Sequence, residues 1–299
     1  MHFLRMQVAP TLNNFNPYDR KTFDVHMHIG RFGTWTMKNN PVEPFKGREI
    51  SSAQEQEKFM KQLGITKAIV MPHYTPDQKI PFEMFNPIAL EATKLKNIYA
   101  ALFVSPLPEN AERTKSVLEQ LPLKKVVALK MSPDSWPKGK YTPNPATWDE
   151  SFRQNMELIL EKAKKHDLVI QFHTGTENSD IMNYVPFLEE YCKKIKIQLV
   201  HMGGSAGGHF ALVPRFITWL EQGYPFYCDT SFCRGFGPAW LVQQLEEHYP
   251  KGLKHVLFAS DNPWGIFESE FWRIEAIPCS DKIKEDIFYN NACKVYEKE

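Results

Sequence analysis

Short apolar runs rich in β-branched and aromatic residues alternate along this chain with longer segments whose apolar positions recur at helical spacing. Eight runs read as strands, at 22–28, 67–72, 98–104, 126–132, 168–173, 197–202, 226–230 and 255–260. Eight amphipathic segments follow them, at 51–63, 83–96, 109–121, 148–166, 184–195, 210–222, 239–248 and 281–297. The fourth shows the pattern best. Phe152, Met156, Ile159, Leu160 and Ala163 fall on one face of a helix, with Arg153, Gln154, Glu157, Glu161 and Lys164 on the other, so this segment is expected to pack on a sheet.

Repeated strand-then-helix order predicts a parallel sheet of the α/β class. Eight such units favour a closed (β/α)₈ TIM barrel over an open doubly wound sheet, which usually stops near about six strands and opens with a GxGxxG turn. The first turn here, Ile29-Gly30-Arg31-Phe32-Gly33, lacks that pattern. No linker or low-complexity stretch divides the chain, so residues 1–21 read as an N-terminal extension and 22–299 as a single-domain barrel. Pro133, Pro137, Pro143 and Pro145 make 131–147 a long loop after the fourth strand, and substrate specificity is expected there and in the loop 29–50.

Composition narrows the partners. With 36 basic and 35 acidic residues the net charge is +1, so no overall field draws nucleic acid or an anionic membrane. The five cysteines are odd in number and form no CxxC pair, which speaks against a disulfide framework or a thiolate metal site and for a reducing compartment. The first ten residues lack the apolar stretch of a signal peptide, and no segment approaches the ~20 apolar residues of a membrane span. The expectation is a cytoplasmic protein acting on a small molecule, with no nucleic acid or membrane partner and at most a second copy of itself as a homodimer.

The chemistry sits where the apolar runs end. His26 and His28 close the first run, and alternate residues of a strand share a face, so two imidazoles about 6.6 Å apart at Cα can converge on one ion. His173 closes the fifth run, His201 the sixth and Asp261 the eighth. In a barrel all five lie at strand C-termini, where the active site is built. Counting back by two gives Gln171 and Val169 from His173, and Ala259 and Leu257 from Asp261, so each can face the axis. Imidazole and carboxylate donors without sulfur suit one divalent ion, Zn²⁺ first and Mn²⁺, Fe²⁺ or Co²⁺ as alternatives. Such an ion lowers the pKa of a bound water from 15.7 to about 7. Any one histidine is more often a satisfied polar residue than a ligand. His73 and His209, in loops after strands, read as bystanders.

The motifs Asp24-Val25-His26-Met27-His28, His173, His201-Met202-Gly203-Gly204 and Ser260-Asp261-Asn262-Pro263-Trp264 resemble the amidohydrolase superfamily. More narrowly, they resemble its branch of metal-dependent hydrolases and aminocarboxymuconate semialdehyde decarboxylase, whose closing helix is similar to Asn290-Asn291-Ala292-Cys293-Lys294-Val295-Tyr296. The resemblance implies that His26, His28, His173 and Asp261 bind the metal and that His201 hydrogen-bonds the metal water or the substrate. It also implies a hydrolase in which metal-activated water attacks the C–N or C–O bond of a cyclic amide, lactone or ester, with Asp261 as general base and then acid. Non-oxidative decarboxylation of an unsaturated or aromatic acid is the alternative, and a non-catalytic metal- or metabolite-binding barrel a second one.

Other residues carry two readings each. Lys130 closes the fourth strand as either a carbamylated bridge between two metals or a charged side chain that binds substrate. The branch often has Lys-x-His there, whereas this chain has Lys130-Met131-Ser132, which favours one metal and an unmodified lysine. Asp24, two residues before His26, is expected on the same face, orienting an imidazole, or else satisfying buried backbone. Arg215 and Arg234 are candidate carboxylate clamps or plain surface residues. Trp264, with Trp35, Trp136 and Phe236, stacks on a planar substrate or packs a loop. The run Gly203–Gly208 reads as a tight turn rather than an anion nest.

Overall fold

The structure is a computed structural model that describes residues 19–30, 35–37, 40–42, 50–73 and 82–297. In chain order the strands are β1 (Phe23–Ile29), β2 (Trp35–Met37), β3 (Asn40–Val42), β4 (Lys67–Pro72), β5 (Ile98–Phe103), β6 (Val126–Met131), β7 (Val169–His173), β8 (Ile197–Val200), β9 (Phe226–Asp229) and β10 (Val256–Leu257). The helices are α1 (Ala53–Gln62), α2 (Asn86–Ala92), α3 (Ala111–Glu119), α4 (Glu150–Lys165), α5 (Ile181–Tyr191), α6 (Ala206–Glu221), α7 (Gly237–His248), α8 (Phe267–Glu275), α9 (Asp281–Glu285) and α10 (Asn291–Tyr296). β2 and β3 pair as a small antiparallel hairpin. The other eight strands run parallel in the order β1-β4-β5-β6-β7-β8-β9-β10.

The sheet closes on itself. Val25 N–H donates to Phe258 O (3.2 Å), Asp261 N–H to His26 O (2.8 Å) and His28 N–H to Asn262 O (2.8 Å), so the single domain is the expected (β/α)₈ barrel. The expected strand 255–260 is regular only at Val256–Leu257. Beyond it Phe258 N–H turns to Ile287 O (3.0 Å), and residues to Asn262 continue beside β1 without a full ladder.

One expected element is misplaced. The partner of the last strand is α8, whose buried Phe267, Glu270, Phe271 and Ile274 follow the spacing i, i+3, i+4, i+7. The segment 281–297 instead breaks into α9, a wide helical turn at Asp286–Asn290, and α10. α4 forms as its pattern demands, with Asp149 accepting Phe152 N–H (2.8 Å) at the N-cap and three lysines in the last turn, where they oppose the negative end of the helix dipole.

Two apolar layers result. Outward strand residues such as Val70, Ile170 and Phe172 pack on the helices in the larger core. Val25, Ile69, Ala101, Val169, Leu257 and Ala259 form a second cluster with Ala292, Val295 and Tyr296 of α10, which therefore floors the lumen at the strand N-termini. Alternation along β7 and β10 thus matches the parity expected from His173 and Asp261.

β1 departs from simple alternation. Asp24 is level with Ala68, yet Met27 is level with Val70, so one extra residue lies between them. That bulge lets Val25 and His26 both turn inward and places Asp24 on the opposite face from His26, contrary to the parity expected for it. Its Oδ1 accepts His26 N–H (3.2 Å) and Ser260 N–H (3.1 Å), so the carboxyl group serves backbone at the barrel seam. Burial raises its pKa to about 7.

Candidate metal centre

At the strand C-termini three donors form a triangle. His26 Nε2 and His28 Nε2 are 3.2 Å apart, His28 Nε2 is 3.1 Å from Asp261 Oδ1, and His26 Nε2 is 3.3 Å from the same oxygen. His28 Nδ1–H donates to Pro72 O (3.2 Å), so in the neutral ring Nε2 carries a lone pair. Burial, then Lys130, hold His26 well below the usual imidazole range. Lone pairs of neutral rings and a carboxylate facing one another at this distance repel unless a cation lies between them. Bonds of about 2.0–2.2 Å from nitrogen or oxygen to a divalent ion place neighbouring donors ~3.0–3.4 Å apart, and the triangle matches that edge length.

His201 stands on the other side of the carboxylate, with Nε2 3.9 Å from Asp261 Oδ2. Its Nδ1–H is taken by Ser231 O (3.1 Å) and Ser231 Oγ (3.0 Å), which leaves Nε2 free to face the centre. Among the described residues, donor atoms of His26, His201 and Asp261 lie within 4.8 Å of one another. His173 is further out, edge-on to His201 with ring centroids 4.9 Å apart. Burial lowers its pKa to about 4, so it too presents a neutral ring.

The backbone that carries these groups is unusual. His201 and Asp261 have φ of +66° and +55°, a left-handed conformation that costs roughly 1–3 kcal/mol per residue outside glycine. Asp261 is held in it by its N–H bond to His26 O and by Gly265 N–H donating to its carbonyl (3.0 Å). After His201 the chain packs backbone on backbone. A Cβ at Gly208 would come within 2.0 Å of Gly203 O, and one at Gly204 within 2.5 Å of Gly175 Cα. Gly207 and Gly208 belong to the first turn of α6, which begins at Ala206, four residues before the helix expected from apolar spacing at 210–222.

Charge at the site is asymmetric. Asp261 is ionised: burial opposes this, but the surrounding rings of His26, His201 and His28 together hold it below the ordinary carboxylate range. Lys130 is 1% exposed and its Nζ has no hydrogen-bond partner. Burial pushes its pKa down to about 8, against the attraction of Asp261, Asp229 and Asp134. It is a buried amine among the charged groups of the centre with nothing bonded to it.

The remaining candidates divide. Trp264 lies 5.5 Å, ring to ring, from His73, which in turn lies 5.4 Å from His28. His73, read as a bystander, is therefore part of the wall. Arg215 is on α6 and donates to Ala211 O (3.1 Å), and the side chain of Arg234 is exposed; neither is brought to the donors. Trp136 is buried against Phe152 at 5.2 Å, so the proline-rich loop packs down rather than forming a lid. Phe236 lies on Phe210. Trp35 and most of the loop 29–50 lie outside the residues whose side chains are described. Two features escaped the sequence reading. Phe232, 54% exposed, sits 5.9 Å from the His201 ring, and the polar end of the seventh run, Asp229-Thr230-Ser231, carries the partner of His201. Its signal was the one used elsewhere, polar residues closing an apolar strand.

The barrel carries at its strand C-termini a rim of imidazoles and one carboxylate, donors that suit a divalent metal. The sequence model of the amidohydrolase family matches residues 23–298, and the chain belongs to that family. No curated protein matches it. Among solved structures it is similar to 5-carboxyvanillate decarboxylase from Sphingomonas paucimobilis, at 12% identity over 94% of this chain and 100% of that one, with a TM-score of 0.66. It is also similar to a dihydroxybenzoic acid decarboxylase from Polaromonas with bound manganese and 2-nitroresorcinol (14%, 92% and 96%, TM-score 0.61). A third is a probable 2-pyrone-4,6-dicarboxylic acid hydrolase from Acinetobacter baumannii (13%, 92% and 98%, TM-score 0.60). Among the described residues no helix is long and apolar enough to cross a membrane.

Proposed function

We propose that this protein is a metal-dependent decarboxylase of a planar aromatic or unsaturated carboxylic acid. The observation that carries this reading is Lys130, a buried amine left without a partner beside the donor triangle. A buried cation kept without a partner is a group suited to receive an anion. Phe232 and Trp264 flank the same centre, as a planar ring would require. The named activities of the Sphingomonas and Polaromonas neighbours support the same substrate class.

His26, His28 and Asp261, with His173 and His201 beside them, would hold a divalent ion, which would supply a Lewis acid to polarise a substrate oxygen. The donors accept Zn²⁺, and the manganese of the Polaromonas enzyme makes Mn²⁺ its main rival. Lys130 pairs with the substrate carboxylate, and the aromatic side chains orient the ring. As the bond to the carboxylate carbon breaks, CO₂ leaves and the ring carbon keeps the electron pair. Asp261 carries a proton to that carbon, having taken it from a substrate hydroxyl or from water.

Hydrolysis of a cyclic ester or amide remains the second reading, favoured by the ionised state of Asp261, which suits a general base for water. Incubating the Zn²⁺- or Mn²⁺-loaded protein with hydroxybenzoate and muconate-type acids and, separately, with lactones in H₂¹⁸O tests both. Release of CO₂ with no ¹⁸O in the remaining product supports decarboxylation. Ring opening of a lactone with ¹⁸O in the new carboxyl group, and no CO₂ from any acid, replaces it with hydrolysis.

A further inference from the structure

Asp229, the last residue of β9, is fully buried, and its two oxygens reach behind two imidazoles from different strands. Oδ1 accepts His201 N–H (3.1 Å), Ser231 N–H (3.1 Å) and Ser231 Oγ–H (2.6 Å). Oδ2 accepts the Gln198 amide (2.6 Å) and lies 3.7 Å from His26 Nδ1. That ring nitrogen is buried and has no hydrogen-bond partner, while the corresponding nitrogens of His28 and His201 are both satisfied.

The orientation of Asp229 is itself determined from below. Gln198 Oε1 accepts Gln171 Nε2–H (3.2 Å) and the Tyr296 hydroxyl, so the Gln198 amide nitrogen must point up at Asp229. Gln171 also donates to Val25 O (3.1 Å). A line of buried polar side chains therefore runs down the lumen from the metal centre to α10 on the barrel floor. Interior polar groups at this depth are costly unless each has a partner, and the line leaves Asp229 with a lone pair directed at one remaining donor, His26.

We propose that Asp229 is the positioning residue of the metal centre. Its Oδ2 keeps the proton of His26 on Nδ1, which leaves Nε2 bare for the cation, and its Oδ1 does the same for His201 through Ser231. A neutral imidazole has one ring proton, and an acceptor at one nitrogen decides which nitrogen is left to ligate. Closing the His26 contact by about half an ångström makes it a full hydrogen bond, since N–H···O distances run to ~3.2 Å. The consequence for metal rests on the reading of the site given above; the tautomer does not.

Long-range ¹H–¹⁵N correlation spectra of the metal-free protein report the His26 tautomer directly, and titration calorimetry with Zn²⁺ and with Mn²⁺ reports affinity. The wild type is expected to hold the proton on Nδ1. In Asp229→Asn an amide N–H₂ faces Nδ1, so the proton moves to Nε2 and metal affinity falls about 10–100-fold, with the melting temperature little changed. Tyr296→Phe is expected to weaken affinity less while leaving the charge of Asp229 intact. A wild-type His26 protonated on Nε2 overturns the proposal, as does an Asp229→Asn protein with unchanged tautomer and affinity within about twofold. Should Asp229→Asn fail to fold, the wild-type tautomer decides. A wild type that binds neither metal defeats the proposed function but leaves the tautomer result standing, so the two failures are distinct.

Discussion

Two lysines at opposite ends of the barrel live in contrasting surroundings. Lys67, at the first position of β4, donates to Glu297 Oε1 at 2.6 Å and lies 5.0 Å from the centre of the Tyr289 ring. Glu297 also accepts from Tyr99 (2.7 Å). Burial opposes the charge of Lys67, but the Glu297 carboxylate outweighs it and holds the pKa above the ordinary lysine value. Lys130, near the end of β6, has three carboxylates in its neighbourhood and no bond to any, and its pKa falls to about 8. At the floor Lys67 and Glu297 answer one another's charge. The rim leaves a charge unanswered at a cost of about 3 kcal/mol, and that is the mark of a group kept for a ligand.

The sharpest way to break this contrast is to remove a donor from the rim. His26→Ala, His28→Ala or Asp261→Asn is expected to abolish metal binding and to lower turnover by three orders of magnitude or more, roughly 4 kcal/mol of barrier, with the melting temperature kept. Metal analysis and calorimetry check it, and a variant that still binds metal and turns over normally removes the residue from the centre.

Lys130→Met comes next. Substrate carboxylate binding and turnover are expected to fall about 100-fold, since a charged hydrogen bond is worth roughly 1.5–3 kcal/mol. Stability is expected to rise because an unpaired buried cation has gone. A thermal melt beside steady-state kinetics reads both, and a loss of stability with unchanged kinetics would place Lys130 on the same footing as Lys67.

The same lysine gives a pH signature. Its folded pKa of about 8 lies below the ordinary value of 10.5, so between these values the unfolded chain binds a proton that the folded protein does not. Stability from this group therefore rises with pH across that window. Affinity for an anionic substrate falls over the same range as the ammonium is lost. Measured KM rising above pH 8 while the midpoint of urea unfolding moves up is the expected pair of slopes; both are absent in Lys130→Met.

The smallest effect belongs to the floor. Lys67→Met leaves Glu297 with Tyr99 and Cys293 and is expected to cost about 1–3 kcal/mol of stability with kcat and KM unchanged. A kinetic defect there would mean that the floor reports to the rim more strongly than through the Tyr296–Gln198 line.

Much of this was legible in the order of residues. Eight apolar runs with intervening amphipathic segments specify strand and helix because burial must match a period of two or of 3.6, and polar residues closing several runs marked the rim. α8 carried a readable helical signal in Phe267, Phe271 and Ile274 that lost out to the longer apolar stretch after Asp281. Trp136 showed no sign of its fate, because whether a loop aromatic stacks on substrate or on Phe152 depends on the path of the loop.

By itself, then, the sequence determined the barrel, the strand ends and the residue types available for chemistry, all of which follow from local periodicity. Tertiary structure alone decided that Asp24 faces away from His26, that His73 joins the wall, that Lys130 has no partner and that Asp229 stands behind two imidazoles. A single extra residue in β1, or a carboxylate 28 positions after the histidine whose N–H it accepts, leaves no periodic trace. Its effect appears only when closure of the sheet brings distant strands side by side.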